Sequence, residues 1–203
     1  MLILVEGPDG TGKTSLIKSL MSRAVDQEKE VYERHLTSKT IGKEGAESFY
    51  KEFLRELTEA HLNTNLVYIL DRAWVSNIVY THIYEPEKKC VSKELTEALF
   101  SVTDEFYLCL PENREAYLNN FTKLASTRAE TYPENADKVY DEFAKFKTRE
   151  NVCIWDIFGK DKKEPDIDWK EFFAKIDNPN YELYNKESGD TFTLADFLKK
   201  FNR

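Results

Sequence analysis

The chain has 203 residues, a formal net charge of -8, 41% hydrophobic and 33% charged residues. That length suits one compact α/β domain, or one domain with a short extension, and the composition excludes wholesale disorder. The acidic balance, without any Lys/Arg-rich run, argues against long nucleic acid as a partner, which needs a basic surface. A small anionic nucleotide needs only a local pocket of donors and stays compatible with it.

Cys90, Cys109 and Cys153 form no CxxC pair, and an odd number fits poorly with a disulfide framework. His35, His61 and His82 show no metal-ligand spacing. No apolar run approaches the ~20 residues that span a bilayer, and the opening MLILVEGPDG lacks a basic signal region. The expectation is a cytoplasmic protein with no membrane partner.

In chain order, Leu2 to Val5 is a short, wholly apolar run, as a parallel strand covered on both faces requires. Leu16, Ile17, Leu20, Met21 and Ala24 then recur at helical spacing, and Val31 to Leu36 suits a second strand. The series Ala46, Phe49, Tyr50, Phe53, Leu54, Leu57, Ala60 marks a helix. Leu66 to Leu70 is a third strand, ending at Asp71-Arg72. Helices follow at Trp74 to His82 and at Ser92 to Val102, the latter with Ser92 as N-cap. Phe106 to Leu110, closed by Pro111, is a fourth strand, and Val152 to Trp155 a fifth. Between them helices fit Glu112 to Leu124 and Ala136 to Lys147. Strands alternating with helices imply an α/β fold, a mostly parallel five-stranded sheet flanked by helices. Gly159 to Asp168 reads as a surface connection, Trp169 to Ile176 and Leu194 to Phe201 as short helices, the latter with Thr193 as a cap. Tyr181 to Tyr184 reads as a small strand before a turn at Glu187 to Asp190.

Gly7-Pro8-Asp9-Gly10-Thr11-Gly12-Lys13-Thr14 matches the phosphate-binding pattern GxxxxGK[ST] in full, between a strand and a helix. Its glycines let the backbone curl so that several N–H groups point at one anion, and the helix adds the positive end of its dipole. Gly7, Asp9, Gly10, Thr11, Gly12, Lys13, Thr14 and Ser15 are therefore the candidate binding residues for ATP. Lys13 would contact the β- and γ-phosphates and Thr14 would help hold Mg²⁺. Asp71 ends the third strand beside this loop, where it would either share that Mg²⁺ or cap the following helix. Arg72 would clamp a phosphate or sit in a surface ion pair. Both motifs fall at the carboxyl edge of the sheet, where ligands of such folds bind.

These residues carry a resemblance. Glu6 to Thr14 is similar to the EGxDGxGK[ST] loop of thymidylate kinases, and Asp71 to Tyr80 to their DRxxxSxxAY segment, with Glu33-Arg34 a fainter echo of the strand-two arginine. The resemblance covers about the first 80 residues. It implies a P-loop three-layer sandwich at 1–158 that acts as a nucleoside monophosphate kinase on a small nucleotide substrate with ATP and Mg²⁺. Residues 159–203, which the resemblance does not cover, are expected to form an extension of unknown role packed on the same domain, and a homodimer follows by family analogy. Arg72 would bind the acceptor phosphate, Ser76 and Tyr80 would face the acceptor nucleoside, and Asp9 would lie near it. Phe49, Tyr50 or Phe53 would stack on the base, or all three would be core residues of their helix. Arg55 would reach the phosphate or point to solvent.

The chain departs from the family at Ala73, where an aromatic or histidine is usual, at Thr81, where glutamine is usual, and in a thin lid. Arg128 is the first candidate for the lid cation, in the polar segment Ser126 to Asn135. Small phage-type relatives vary in this way, which is compatible with a phage source and a location in host cytoplasm. The departures leave the base open, with dTMP the first candidate acceptor. A monophosphate acceptor needs no general base. A nucleoside hydroxyl would need one, with Glu33, Asp9 or Asp71 as candidates. Lys13, Arg72, Asp9 and Arg128 are thus the expected catalytic set. A deoxynucleoside kinase and a nucleotide-dependent regulatory protein without transferase activity are the competing readings.

Overall fold

The computed structural model describes residues 1–36, 45–125, 135–149 and 151–157, and two short strands at 182–185 and 190–193. Strand β1 (Leu2–Glu6) is buried along its whole length because it lies at the centre of the sheet. It pairs in parallel with β3 (Leu66–Asp71) on one side and β4 (Glu105–Cys109) on the other. Strand β2 (Glu30–His35) forms one edge against β3, and β5 (Val152–Trp155) forms the other against β4. The order is β2-β3-β1-β4-β5, and every pairing is parallel. The chain turns from one half of this sheet to the other across β1. The crevice that such a switch opens lies at the carboxyl end of β1, where the phosphate loop begins.

Successive residues of a strand point to opposite faces, and β1 divides its side chains accordingly. Ile3 and Val5 join Leu16, Ile17, Leu20 and Ala24 of α1 (Lys13–Asp26) in one core. Leu2 and Leu4 join the larger core on the opposite face. There α2 (Ala46–Leu62), α3 (Trp74–Tyr84), α4 (Lys93–Ser101), α5 (Arg114–Ala125) and α6 (Ala136–Ala144) contribute their apolar stripes. Trp74 anchors this layer, fully buried and edge-on to both Tyr50 and Phe100, with ring centroids 6.3 and 5.5 Å away. Helices on both faces of a parallel sheet make the three-layer P-loop sandwich.

Among the described residues the expected elements stand within a residue or two of their sequence limits, and Ser92 caps α4 by accepting from the Leu95 amide. The helix expected to reach Lys147 stops at Ala144, and a 3-10 turn continues over Lys145–Thr148. Strand β6 (Glu182–Asn185) pairs antiparallel with β7 (Asp190–Thr193). Thr193 therefore ends a strand, and the second arm of this hairpin was not legible as such. The connection at 159–168, the helices at 169–176 and 194–201, and the polar segment 126–134 with Arg128 lie outside the described residues. Among the described residues no helix is long and apolar enough to cross a membrane.

Candidate active site

Strand register sets the site before any side chain is considered. Val5 pairs with Asp71, and Asp71 with His35, so β1, β3 and β2 deliver Glu6, Asp71 and His35 to one edge. The loop that follows β1 holds its shape by turning its carbonyls onto its own donors. Lys13 Nζ donates to the carbonyls of Gly7 at 2.9 Å and Pro8 at 2.5 Å, and Thr11 Oγ1 donates to Pro8 at 2.8 Å. Asn120 of α5 donates from Nδ2 to the Gly10 carbonyl at 2.9 Å. In a trans peptide the N–H points opposite to its C=O, so these bonds turn loop amides the other way. The first turn of α1 adds the unpaired N–H groups and positive pole of a helix start.

Glycine is required at Gly7, whose φ is +141° and where a Cβ would stand 2.2 Å from the Cys109 carbonyl oxygen. Gly12 has φ +84°, and a Cβ there would meet Ile157 Cδ1 at 2.5 Å. Thr14 and Ser15 are exposed on the first turn of α1, with Asp71 at the neighbouring strand end. The Lys13 ammonium is buried, and burial lowers its pKa from 10.5 to about 8, with the nearby Arg72 acting in the same direction.

Arg72 follows directly on β3. Its φ of 65° lies in the left-handed region that arginine seldom adopts, a feature that concentrates at functional sites. Its amide donates to the Val5 carbonyl at 3.0 Å. Its side chain, 12% exposed, forms an ion pair with Asp9. Its Nη1 donates to the Gly7 carbonyl at 3.4 Å, Ser76 Oγ at 3.3 Å and Tyr80 Oη at 3.3 Å. Burial works against this charge, but Tyr80, Asp9 and Glu6 around it hold its pKa above the ordinary arginine value. Lys13, Asp9, Arg72, Ser76 and Tyr80 are thus brought together at the mouth of the loop.

Asp71 accepts from His35 Nδ1 at 2.8 Å through Oδ2, while its Oδ1 is buried without a hydrogen-bond partner. It does not cap α3. That task falls to Glu6 of β1, which is fully buried and accepts from the amides of Ala73 at 2.7 Å and Ser76 at 3.2 Å. Glu6 Oε2 also accepts from Ser76 Oγ at 2.5 Å. Burial raises the Glu6 pKa, against the opposing pull of those bonds and of Arg72.

The three aromatic candidates on α2 separate by depth. Phe49 is half-buried, whereas Tyr50 and Phe53 lie in the core, Tyr50 edge-on to Trp74 and Phe53 under the Arg34 guanidinium at 4.7 Å. Arg34 is held by both oxygens of Glu56 at 2.6 Å. Arg55 forms an exposed pair with Glu59, so of its two readings the solvent-facing one describes it. Glu33 is exposed on the edge strand. The roles of His35, Glu6 and Asn120 were missed by sequence reading, since each depends on a contact across many residues. The glutamate that precedes the loop is the only one with a local signal, as part of the EGxDG pattern.

Residues 2–160 match a family model described as an AAA domain. The chain belongs to the AAA domain family. No curated protein matches it in sequence. Among solved structures this AAA domain is similar to the YorR protein from Bacillus subtilis, determined in complex with phosphorylated GDP. The TM-score is 0.57 at 15% identity, over 87% of this chain and 93% of that one. Deoxyadenosine kinase from M. mycoides, with the products dCMP and a flexible dCDP bound, aligns with a TM-score of 0.43 at 14% identity, over 86% and 95% of the two chains. Thymidylate kinase from Ehrlichia chaffeensis gives 0.33 at 19% identity, over 63% and 87%. At these identities only the YorR likeness bears on the comparison, and it speaks to the fold.

Proposed function

We propose that this AAA domain is a nucleotide kinase that transfers the terminal phosphoryl group of ATP to the 5′-phosphate of a deoxynucleoside monophosphate, dTMP being the first candidate. The observation that carries the reading is Arg72, a buried guanidinium fixed at the mouth of the phosphate loop with Asp9 as its charged partner. A cation held there, beside Lys13 but outside the loop, suits a second phosphate facing the first. The bound nucleotide of YorR is in keeping with a nucleotide ligand for this fold.

The residues present suit ATP and Mg²⁺. The loop presents amides and a buried lysine to phosphates, and Asp71 Oδ1, without a hydrogen-bond partner at the end of β3, and the exposed Thr14 on the first turn of α1 are oxygen donors of the kind Mg²⁺ prefers. Thr14 and Asp71 would hold Mg²⁺, which when bound would supply positive charge against the phosphates. Lys13 would exchange the Gly7 and Pro8 carbonyls for the donor phosphates, and Arg72 would hold the acceptor phosphate in line with them. An ionised phosphate acceptor needs no base.

The hydrogen bond between His35 and Asp71 supports a second reading, a deoxynucleoside kinase, because that pair could take a proton from a hydroxyl acceptor. The test is ADP formation from ATP-Mg²⁺ with parallel panels of deoxynucleosides and their monophosphates, using Lys13→Ala as the blank. Turnover with monophosphates supports the first reading. Turnover with nucleosides alone moves the assignment to the second, and silence with both rejects transferase activity on these acceptors.

A further inference from the structure

We propose that Glu6 is a positioning residue, which fixes the acceptor-side arginine relative to the phosphate loop through Ser76. What Arg72 does in that position rests on the kinase reading above; how it is held does not. The geometry is a continuous path from the central strand to the guanidinium. Glu6 Oε1 accepts from the amides of Ala73 and Ser76, so a carboxylate from β1 caps the first turn of α3. Residue 73 at the N-cap position is alanine, which provides no cap of its own. Glu6 Oε2 accepts from Ser76 Oγ, and that hydroxyl in turn accepts from Arg72 Nη1. A serine hydroxyl has one proton to give, and here Glu6 takes it. The Ser76 hydroxyl is thus engaged on both sides within the protein, and the residue is 5% exposed.

The placement along the chain makes the path effective. Glu6 immediately precedes Gly7, whose carbonyl accepts from both Lys13 and Arg72. Glu6 therefore ties the acceptor arginine to the donor loop through Ser76, and losing that link frees Arg72 while the loop keeps its own hydrogen bonds. A carboxylate is suited to this, because it can accept two amides and a hydroxyl at once while balancing the adjacent guanidinium. Glutamine has the same shape but brings an NH₂ group to Ser76. The Ser76 proton must then go elsewhere, and of the carboxylates opposing Arg72 only Asp9 keeps its charge.

The experiment compares wild type, Glu6→Gln and Ser76→Ala by three readouts. These are the Kd of a fluorescent ATP analogue with Mg²⁺, kcat/KM for the acceptor, and the rate at which phenylglyoxal modifies Arg72, followed by peptide mass spectrometry. The expected result is ATP-analogue affinity within about twofold of wild type and acceptor kcat/KM lower by up to about 100-fold, the scale of a misplacement near 1 Å. Arg72 should be modified several-fold faster in both variants. Ser76→Ala removes one buried hydroxyl and places a good helix former in α3, which keeps the test valid if Glu6→Gln fails to fold. Unchanged acceptor kinetics and unchanged Arg72 modification would overturn the proposal, as would donor and acceptor affinities falling together. Arg72 modification needs no turnover, so it judges the proposal even if the kinase reading fails.

Discussion

Lys13→Met is expected to stabilise the ligand-free protein while abolishing nucleotide binding. The Lys13 ammonium is buried against the Gly7 and Pro8 carbonyls, and its pKa falls from 10.5 to about 8. Each tenfold change in an acid constant corresponds to about 1.4 kcal/mol, so holding the charge in the folded loop at pH 7 costs roughly 3 kcal/mol. Methionine removes that cost but forfeits two hydrogen bonds, each worth about 1 kcal/mol. The net gain is about 1–2 kcal/mol, a Tm rise of roughly 4 °C for a chain of this size. A lysine pKa that is lower in the folded state makes the unfolded chain bind more protons between pH 8 and 10.5. Wild-type stability therefore rises across that window and the gap to Lys13→Met closes. Urea denaturation at pH 7 and pH 10, without phosphate or nucleotide, measures this. Saturating ATP-Mg²⁺ should reverse the order, since it stabilises only the protein that binds it. A variant less stable than wild type at pH 7, or a gap that does not change with pH, would refute the reasoning.

The same lysine predicts that kcat/KM for ATP falls up to about tenfold per pH unit above about 8, since the free enzyme must carry the proton there. The kcat should stay level to higher pH, because bound phosphates restore the charged form. Gly7→Ala should cost more than about 2 kcal/mol of stability and eliminate nucleotide binding, because its Cβ meets the Cys109 carbonyl at 2.2 Å; thermal denaturation and an ATP-analogue titration check both. Trp74→Ala should destabilise by about 3–5 kcal/mol in urea, given a fully buried indole packed against Tyr50 and Phe100. Asp71→Asn should weaken Mg²⁺ affinity at least about tenfold, read as the displacement of an Mn²⁺ spin signal in the presence of ATP.

Much of the fold could be read from sequence because its elements announce themselves locally. Leu2 to Val5 is apolar without interruption, as a central parallel strand must be, and the stripe from Ala46 to Ala60 fixes one face of α2. Even the polar strand β2 was visible through its branched and aromatic residues, although its Tyr32 and Glu33 are exposed at the sheet edge. The loop was legible for the same reason, since its glycines and lysine lie within eight residues. What was hidden depends on which side chain wins a partner across the sheet. Of the two readings of Asp71, the cap on α3 falls to Glu6, 67 residues away from Ala73, and Asp71 pairs with His35. Arg34 faintly echoed the strand-two arginine of thymidylate kinases, and in the fold Glu56 engages it at both oxygens and Phe53 lies beneath it. Composition and periodicity carry no record of such competitions.

The most direct test of the central claim follows the phosphoryl group itself. ATP labelled in its terminal phosphate is incubated with Mg²⁺ and dTMP or another deoxynucleoside monophosphate, and the labelled products are separated by chromatography. The account predicts label in the nucleoside diphosphate with wild type, and none with Lys13→Ala or Arg72→Ala. Label released only as inorganic phosphate, or transferred only to a nucleoside hydroxyl, would contradict it.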